Sequence, residues 1–190
     1  MVLFLRKKLE KGINPKKWKI ITAVREPVAR NISAFFQNQV QYKHMGKMTL
    51  KNLLDLFLAE NWNYNVLNWF DRELKQVFGI DVYSEPFPTT KGYKIYKVKD
   101  QPDLLLLRLE NLDNCAQAAF QEFLNIEQFT LAPENIARNK FYYPIYRKFT
   151  TSKILPRAYI EKMYTSRLAK HFYTEDELNT FRKKWLKEPN

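Results

Sequence analysis

The spacing of apolar and polar residues divides the chain into alternating strand-like and helix-like segments. Lys19–Val24 ("KIITAV") is apolar and rich in β-branched side chains. That is the pattern of a short buried strand inside a parallel sheet. Pro27 follows at a place that suits a first helical turn, and Val28, Ile32, Phe35 and Phe36 recur at helical spacing. A second helix is predicted in "TLKNLLDLFLAE", with Thr49 as its cap and Leu50, Leu53, Leu54, Phe57 and Leu58 as its stripe. A third is predicted in "NWNYNVLNWFDRELKQVFG", where Val66, Trp69, Phe70, Leu74, Val77 and Phe78 form one face and Gly79 stops it.

The second half reads in the same way. "KGYKIYKV" alternates as an edge strand does, and Leu104–Leu107 is an apolar run of buried-strand length. A helix follows through Leu112, Cys115, Ala116, Ala119, Phe120, Phe123 and Leu124. From Ala132 to Lys153 the pattern weakens to a basic, aromatic loop that runs into a short helix. One helix is predicted from about Pro156 to His171. A last one starts at Thr174, where Thr174 and Glu177 have the spacing of a capping box and Leu178, Phe181 and Trp185 point inward. Strands separated by helices imply an α/β fold of three layers, with a mostly parallel central sheet and a helical C-terminal part. No repeat or linker divides the chain, so a single domain over residues 1–190 is expected.

Composition adds limits. Hydrophobic residues make up 45% of the chain, enough for a core. The formal charge of +12 favours anionic partners. No single basic run dominates, so a dedicated nucleic-acid stripe is not expected. The lone Cys115 excludes an internal disulfide and reads as a buried small hydrophobe. His44 and His171 stand apart without a pattern of metal ligands, so no metal site is expected. No segment has the apolar length of a membrane span, and the N-terminus lacks the charge-then-apolar order of a signal peptide. A soluble, cytoplasmic protein is expected.

The candidate chemistry lies in "WKIITAVREPVARNISAFF". A strand ending at Arg25 and a helix starting near Pro27 place a cation beside a helix N-terminus, where free backbone N–H groups and the helix dipole favour an anion. Ser33 lies eight residues after Arg25, and Arg30 lies one turn before Ser33. A guanidinium fork with a hydroxyl suits a phosphate monoester. The competing reading pairs Arg25 with Glu26 or another carboxylate and leaves Ser33 to solvent. A second candidate is the loop "ARNKFYYPIYRKF". There Arg138 and Lys140 are placed to meet phosphate, and Tyr142 or Tyr143 to stack on a base; ordinary surface and core packing is the alternative.

"VREPVARNISAFF" resembles the 3′-phosphate-binding motif of sulfotransferases that use 3′-phosphoadenosine 5′-phosphosulfate (PAPS). Arg25, Pro27 and Ser33 match its Arg, Pro and Ser. "LLLLRLENL" is similar to the family's apolar run followed by Glu-Asp-Leu, here Glu110-Asn111-Leu112. "WFDRELKQVFGIDVY" and "HFYTEDELNTFRKKW" resemble a bacterial subgroup described as capsular polysaccharide synthesis proteins. The resemblance implies a P-loop-NTPase-like core and sulfuryl transfer from PAPS, without a metal, to a carbohydrate hydroxyl. Arg25 and Ser33 would hold the 3′-phosphate; Arg30 and Lys140, read from their own positions in the sequence, are assigned to the same cofactor. It also implies a Gly/Ser/Thr-rich phosphate loop and a catalytic His or Glu upstream. "MVLFLRKKLEKGINPKK" has one Gly, no Ser, Thr or His, and Glu10 as its sole acid. The expectation is therefore an N-terminally truncated domain whose activity depends on the loop being supplied, with no residue assigned as base. Two other readings stand beside it: a basic, non-catalytic binder of RNA or acidic glycan, with nucleic acid the less expected partner, and a structural remnant that folds but binds nothing.

Overall fold

The structure is a computed structural model that describes residues 18–38, 48–59, 62–132 and 137–187; for residues 62–65 it describes the backbone alone. The N-terminal segment with Glu10, His44 and the side chain of Trp62 lie outside this description. The chain divides into two compact units. One comprises the residues up to Arg25 with Asn68–Leu131, the other Glu26–Leu67 with the residues from Ala132 onward.

The first unit holds the sheet. Strands β1 (Lys19–Val24), β2 (Tyr93–Tyr96) and β3 (Asp103–Arg108) are ordered β1-β3-β2. β1 pairs with β3 in parallel, Lys19 opposite Asp103 and Val24 opposite Arg108. β2 pairs with β3 antiparallel, Tyr93 opposite Leu107 and Tyr96 opposite Leu104. The sheet is thus mixed, with one parallel pair, rather than mostly parallel. The short link of residues 97–102 between β2 and β3 explains this, because a parallel crossover needs a dozen residues or more. β3 is central, and Leu104–Arg108 are all buried. β1 departs from the expected buried strand: Lys19, Ile21 and Ala23 are exposed and only Val24 is buried. An apolar run alone does not tell a central strand from one at the rim of a sheet.

Gly92 sets the turn into β2. Its φ of +78° is left-handed, and a Cβ there would stand 2.5 Å from the Cβ of Asn111. Its carbonyl accepts a hydrogen bond from the Arg108 backbone N–H at 2.8 Å. Beyond a 3-10 turn at Leu109–Asn111, a helix over Leu112–Leu124 packs Cys115, Ala119 and Phe123 against Tyr93, Leu105 and Leu107. Cys115 is free and buried, as its place on the apolar stripe predicts.

The second unit is helical and gathers on α1 (Pro27–Asn38). Val28, Ile32, Phe35 and Phe36, the stripe read from sequence, are 0–1% exposed. Phe35 meets Phe57 of α2 (Leu50–Ala59) edge-on at 5.6 Å. Phe36 meets Tyr146 at 5.3 Å and Phe149 at 5.6 Å. These rings bury a large apolar area in offset or edge-to-face pairs, the arrangement aromatic quadrupoles favour. α3 (Trp62–Phe70) starts in this unit and runs on into the first, where it continues through a π-helical turn, Asp71–Lys75, into Gln76–Phe78, and ends at Gly79 with φ +66°. The helix over Leu112–Leu124 is α4, and Tyr143–Thr151 is α5.

The helix predicted from Pro156 to His171 is two helices, α6 (Arg157–Tyr164) and α7 (Arg167–Phe172). Ser166 breaks them: its backbone is extended and its Oγ accepts from the Ala169 N–H at 3.2 Å, so it caps α7. α8 (Glu175–Trp185) starts with the predicted capping box, Thr174 N–H donating to Glu177 at 2.8 Å and Glu177 N–H donating back to Thr174 Oγ1 at 3.3 Å. Among the described residues no helix is long and apolar enough to cross a membrane.

Candidate functional site

The β1–α1 junction consists of Arg25 and Glu26. Glu26 turns inward and is 2% exposed. Its carboxylate accepts from the backbone N–H groups of Val28 and Ala29, both at 2.9 Å. It also accepts from the Tyr164 hydroxyl at 2.8 Å and the Trp185 indole N–H at 3.1 Å. Burial is the largest influence on it and raises its pKa above the ordinary 4.5, against the pull of these donors. Burial likewise pushes the Tyr164 hydroxyl well up.

This arrangement corrects one expectation. The first N–H groups of α1 were to be free for an anionic ligand. Pro27 has none to give, and those of Val28 and Ala29 bind the carboxylate of Glu26. The Arg30 N–H already donates to the Glu26 carbonyl at 3.0 Å. The positive end of the helix is neutralised from within the chain. An external phosphate at α1 has to be held by side chains.

Two side chains on α1 have that capacity. Arg30 is partly buried, and burial lowers the proton affinity of its guanidinium. Its hydrogen-bond acceptor is Asn31 Oδ1 at 3.3 Å, and no described carboxylate forms an ion pair with it. Ser33 is also partly exposed, and no hydrogen bond from its hydroxyl to a described residue is present. Residues three apart on a helix are neighbours on its surface. Arg30 and Ser33 therefore offer a partly desolvated cation and, among the described residues, an uncommitted hydroxyl side by side. Asn31, which the sequence did not single out, ties this helix to α6. It is 0% exposed, and its Nδ2 donates to the Tyr159 hydroxyl at 3.1 Å and to the Met163 sulfur at 3.8 Å. Arg25 is half-buried in the junction.

The second candidate segment divides. Lys140 follows a 3-10 turn, Ala137–Asn139, and its backbone N–H donates to the Ala137 carbonyl at 3.0 Å. Tyr142 does not stand ready to stack on a base. It is 6% exposed, and its ring packs 5.9 Å from Phe36. The contact holds the 140–142 turn against α1, one helical turn beyond Ser33. Phe141, passed over in the sequence, is the exposed ring of this segment, 66% open to solvent. No group of three or more His, Cys, Asp or Glu side chains able to hold a metal occurs among the described residues.

Fold and site define a mixed α/β protein whose helical unit presents a basic, hydroxyl-bearing face on α1. A family model described as "Putative capsular polysaccharide synthesis protein" matches residues 42–174, well over half of the chain. The chain belongs to this family, NKWYS. The matched span begins beyond Ser33, so the β1–α1 segment is read on its own chemistry. No curated protein and no solved structure matches the chain.

Proposed function

We propose that the protein is the core of a sulfotransferase-like domain that moves a sulfuryl group from PAPS to a hydroxyl of a capsular or extracellular polysaccharide. In this reading Arg25, Arg30 and Ser33 hold the 3′-phosphate of the donor, and Lys140 adds positive charge near it. The acceptor oxygen forms the new S–O bond. The bond from sulfur to the bridging phosphate oxygen breaks, adenosine 3′,5′-bisphosphate leaves, and the acceptor proton goes to a base. General-base action and cationic stabilisation of the bridging oxygen supply the acceleration. Transfer requires a base and a phosphosulfate loop, neither of which is assigned to a described residue.

The observation that carries this reading is the pair on α1, a partly buried Arg30 with no ion-paired carboxylate and a Ser33 hydroxyl with no hydrogen-bond partner among the described residues. A partly buried cation is costly until an anion meets it, and a phosphate monoester answers both groups. The carbohydrate acceptor is motivated by the family. The three-layer, P-loop-NTPase-like core belongs to the same proposal, supported by the parallel β1–β3 pair with Arg25 just past the end of β1. Calorimetric titration with adenosine 3′,5′-bisphosphate tests it. Arg30→Ala and Ser33→Ala should each weaken binding by roughly tenfold, the loss expected for one charge-assisted hydrogen bond. Equal affinity in wild type and both variants would sink the assignment.

A further inference from the structure

The Lys and Arg residues are less evenly spread than a scan for runs suggests. Between Ala137 and Lys170 the sequence has nine of them, Arg138, Lys140, Arg147, Lys148, Lys153, Arg157, Lys162, Arg167 and Lys170, against a single acid, Glu161. Nine minus one leaves +8 in this stretch, out of +12 for the whole chain. Glu161 itself is engaged by Arg182 at 3.2 Å. The positive charge of the protein is concentrated in one part of the helical unit.

α5 gives that charge a direction. Its inner side is Tyr142, Tyr146 and Phe149, packed on Phe36. Its outer side is Pro144, Arg147, Lys148 and Thr151, and the 3-10 turn and the loop that lead into it add Arg138 and Phe141, every one of them exposed. No ion pair joins Arg138, Arg147 or Lys148 to a carboxylate among the described residues. A large aromatic ring open to solvent among unpaired cations costs the free protein apolar exposure and like-charge repulsion. A partner that covers the ring and neutralises the cations relieves both.

We infer that this patch binds an anionic polysaccharide chain, the Phe141 ring lying against a sugar face and Arg138, Arg147 and Lys148 meeting its acidic groups. The shape of the patch selects among anionic partners. Membrane attachment grows with the apolar area inserted, and a single phenylalanine offers little. Single-stranded nucleic acid is held on a succession of aromatic platforms, and here one ring is exposed. Exposed cations on both sides of one exposed ring along residues 138–148 fit a flexible polyanion, and two arginines suit bidentate contact with carboxylate or sulfate. The inference rests on the carbohydrate side of the proposed function and is independent of its nucleotide side.

The full-length chain is titrated, without nucleotide, with alginate oligomers, neutral dextran, oligo-dT, and vesicles of phosphatidylglycerol mixed with phosphatidylcholine. Alginate should bind and weaken steeply with salt, and dextran should not bind. Arg138→Ser/Arg147→Ser/Lys148→Ser should lower alginate affinity at least about tenfold and flatten the salt dependence. Phe141→Ser should lower it about threefold with the salt dependence unchanged. Lys51→Ser/Lys97→Ser/Lys99→Ser removes the same charge elsewhere and should leave affinity within about twofold. An equal loss in that control, no loss in Phe141→Ser, or tighter Phe141-dependent binding of oligo-dT or vesicles overturns the inference. Because no nucleotide is present, failure of the nucleotide site leaves this result untouched, and the reverse also holds.

Discussion

Glu26 fixes the start of α1 from inside the protein. Its carboxylate joins the first turn of α1 to Tyr164 on α6 and Trp185 on α8. Gln at this place keeps the shape but turns an N–H₂ group toward one of the donors. Glu26→Gln should therefore destabilise the helical unit by about 2–3 kcal/mol, the cost of a buried donor without an acceptor, read by denaturant unfolding. The sign of the pH dependence follows from the raised pKa. The folded state binds the Glu26 proton more tightly than the unfolded state does. That contribution is full below the ordinary value of 4.5 and is lost as pH rises through the folded pKa. The stability gap between wild type and Glu26→Gln should narrow as pH rises from that value toward neutrality. A gap that widens would mean the donors outweigh burial and the pKa is lowered instead. Glu26 was visible in the sequence only as a possible partner for Arg25. Its burial depends on Tyr164 and Trp185, more than a hundred residues away, and local spacing has no access to that.

At the scale of elements, the junctions carry the most information. Ser166 separates α6 from α7 by capping the second helix. Ser166→Ala should cost about 1 kcal/mol; a loss of only a few tenths would mean that packing of Leu168 and Phe172, not the cap, ends α6. Gly92→Ala should cost more. The side chain would meet Asn111 at 2.5 Å in a left-handed backbone, and unfolding of the sheet unit would report the strain. The periodicity of α1, α4 and α8 was legible because each has one buried stripe and one solvated face. The Ser166 break was hidden because Tyr164, Leu168 and Phe172 keep an apolar rhythm across it. The π turn at Asp71–Lys75 was hidden for the same reason. The exposure of β1 was hidden because strand pairing on its two sides is a property of the sheet, not of the strand. The pair Arg30–Ser33 was legible as a spacing. That the N–H groups beside it are already occupied was not.

Across the whole molecule, two features set behaviour in solution. β1 pairs with β3 alone among the described strands, and Ile21 is 43% exposed. A strand edge of this kind invites pairing with another chain. Ile21→Lys should reduce concentration-dependent association, measured by light scattering, with little change in melting temperature. Unchanged scattering would show that β1 is not the adhesive edge. The other feature is the excess of positive charge, concentrated between Ala137 and Lys170. The central claim is that α1 presents a phosphate site built from side chains. The most direct test is the melting temperature of the full chain with adenosine 3′,5′-bisphosphate, beside adenosine 5′-phosphate at equal concentration. The account predicts a rise with the 3′-phosphorylated nucleotide, about 2.7 kcal/mol of stabilisation at a hundredfold excess over Kd, that is lost in Arg25→Ala and Arg30→Ala. Equal shifts with both nucleotides, or none with either, would contradict it.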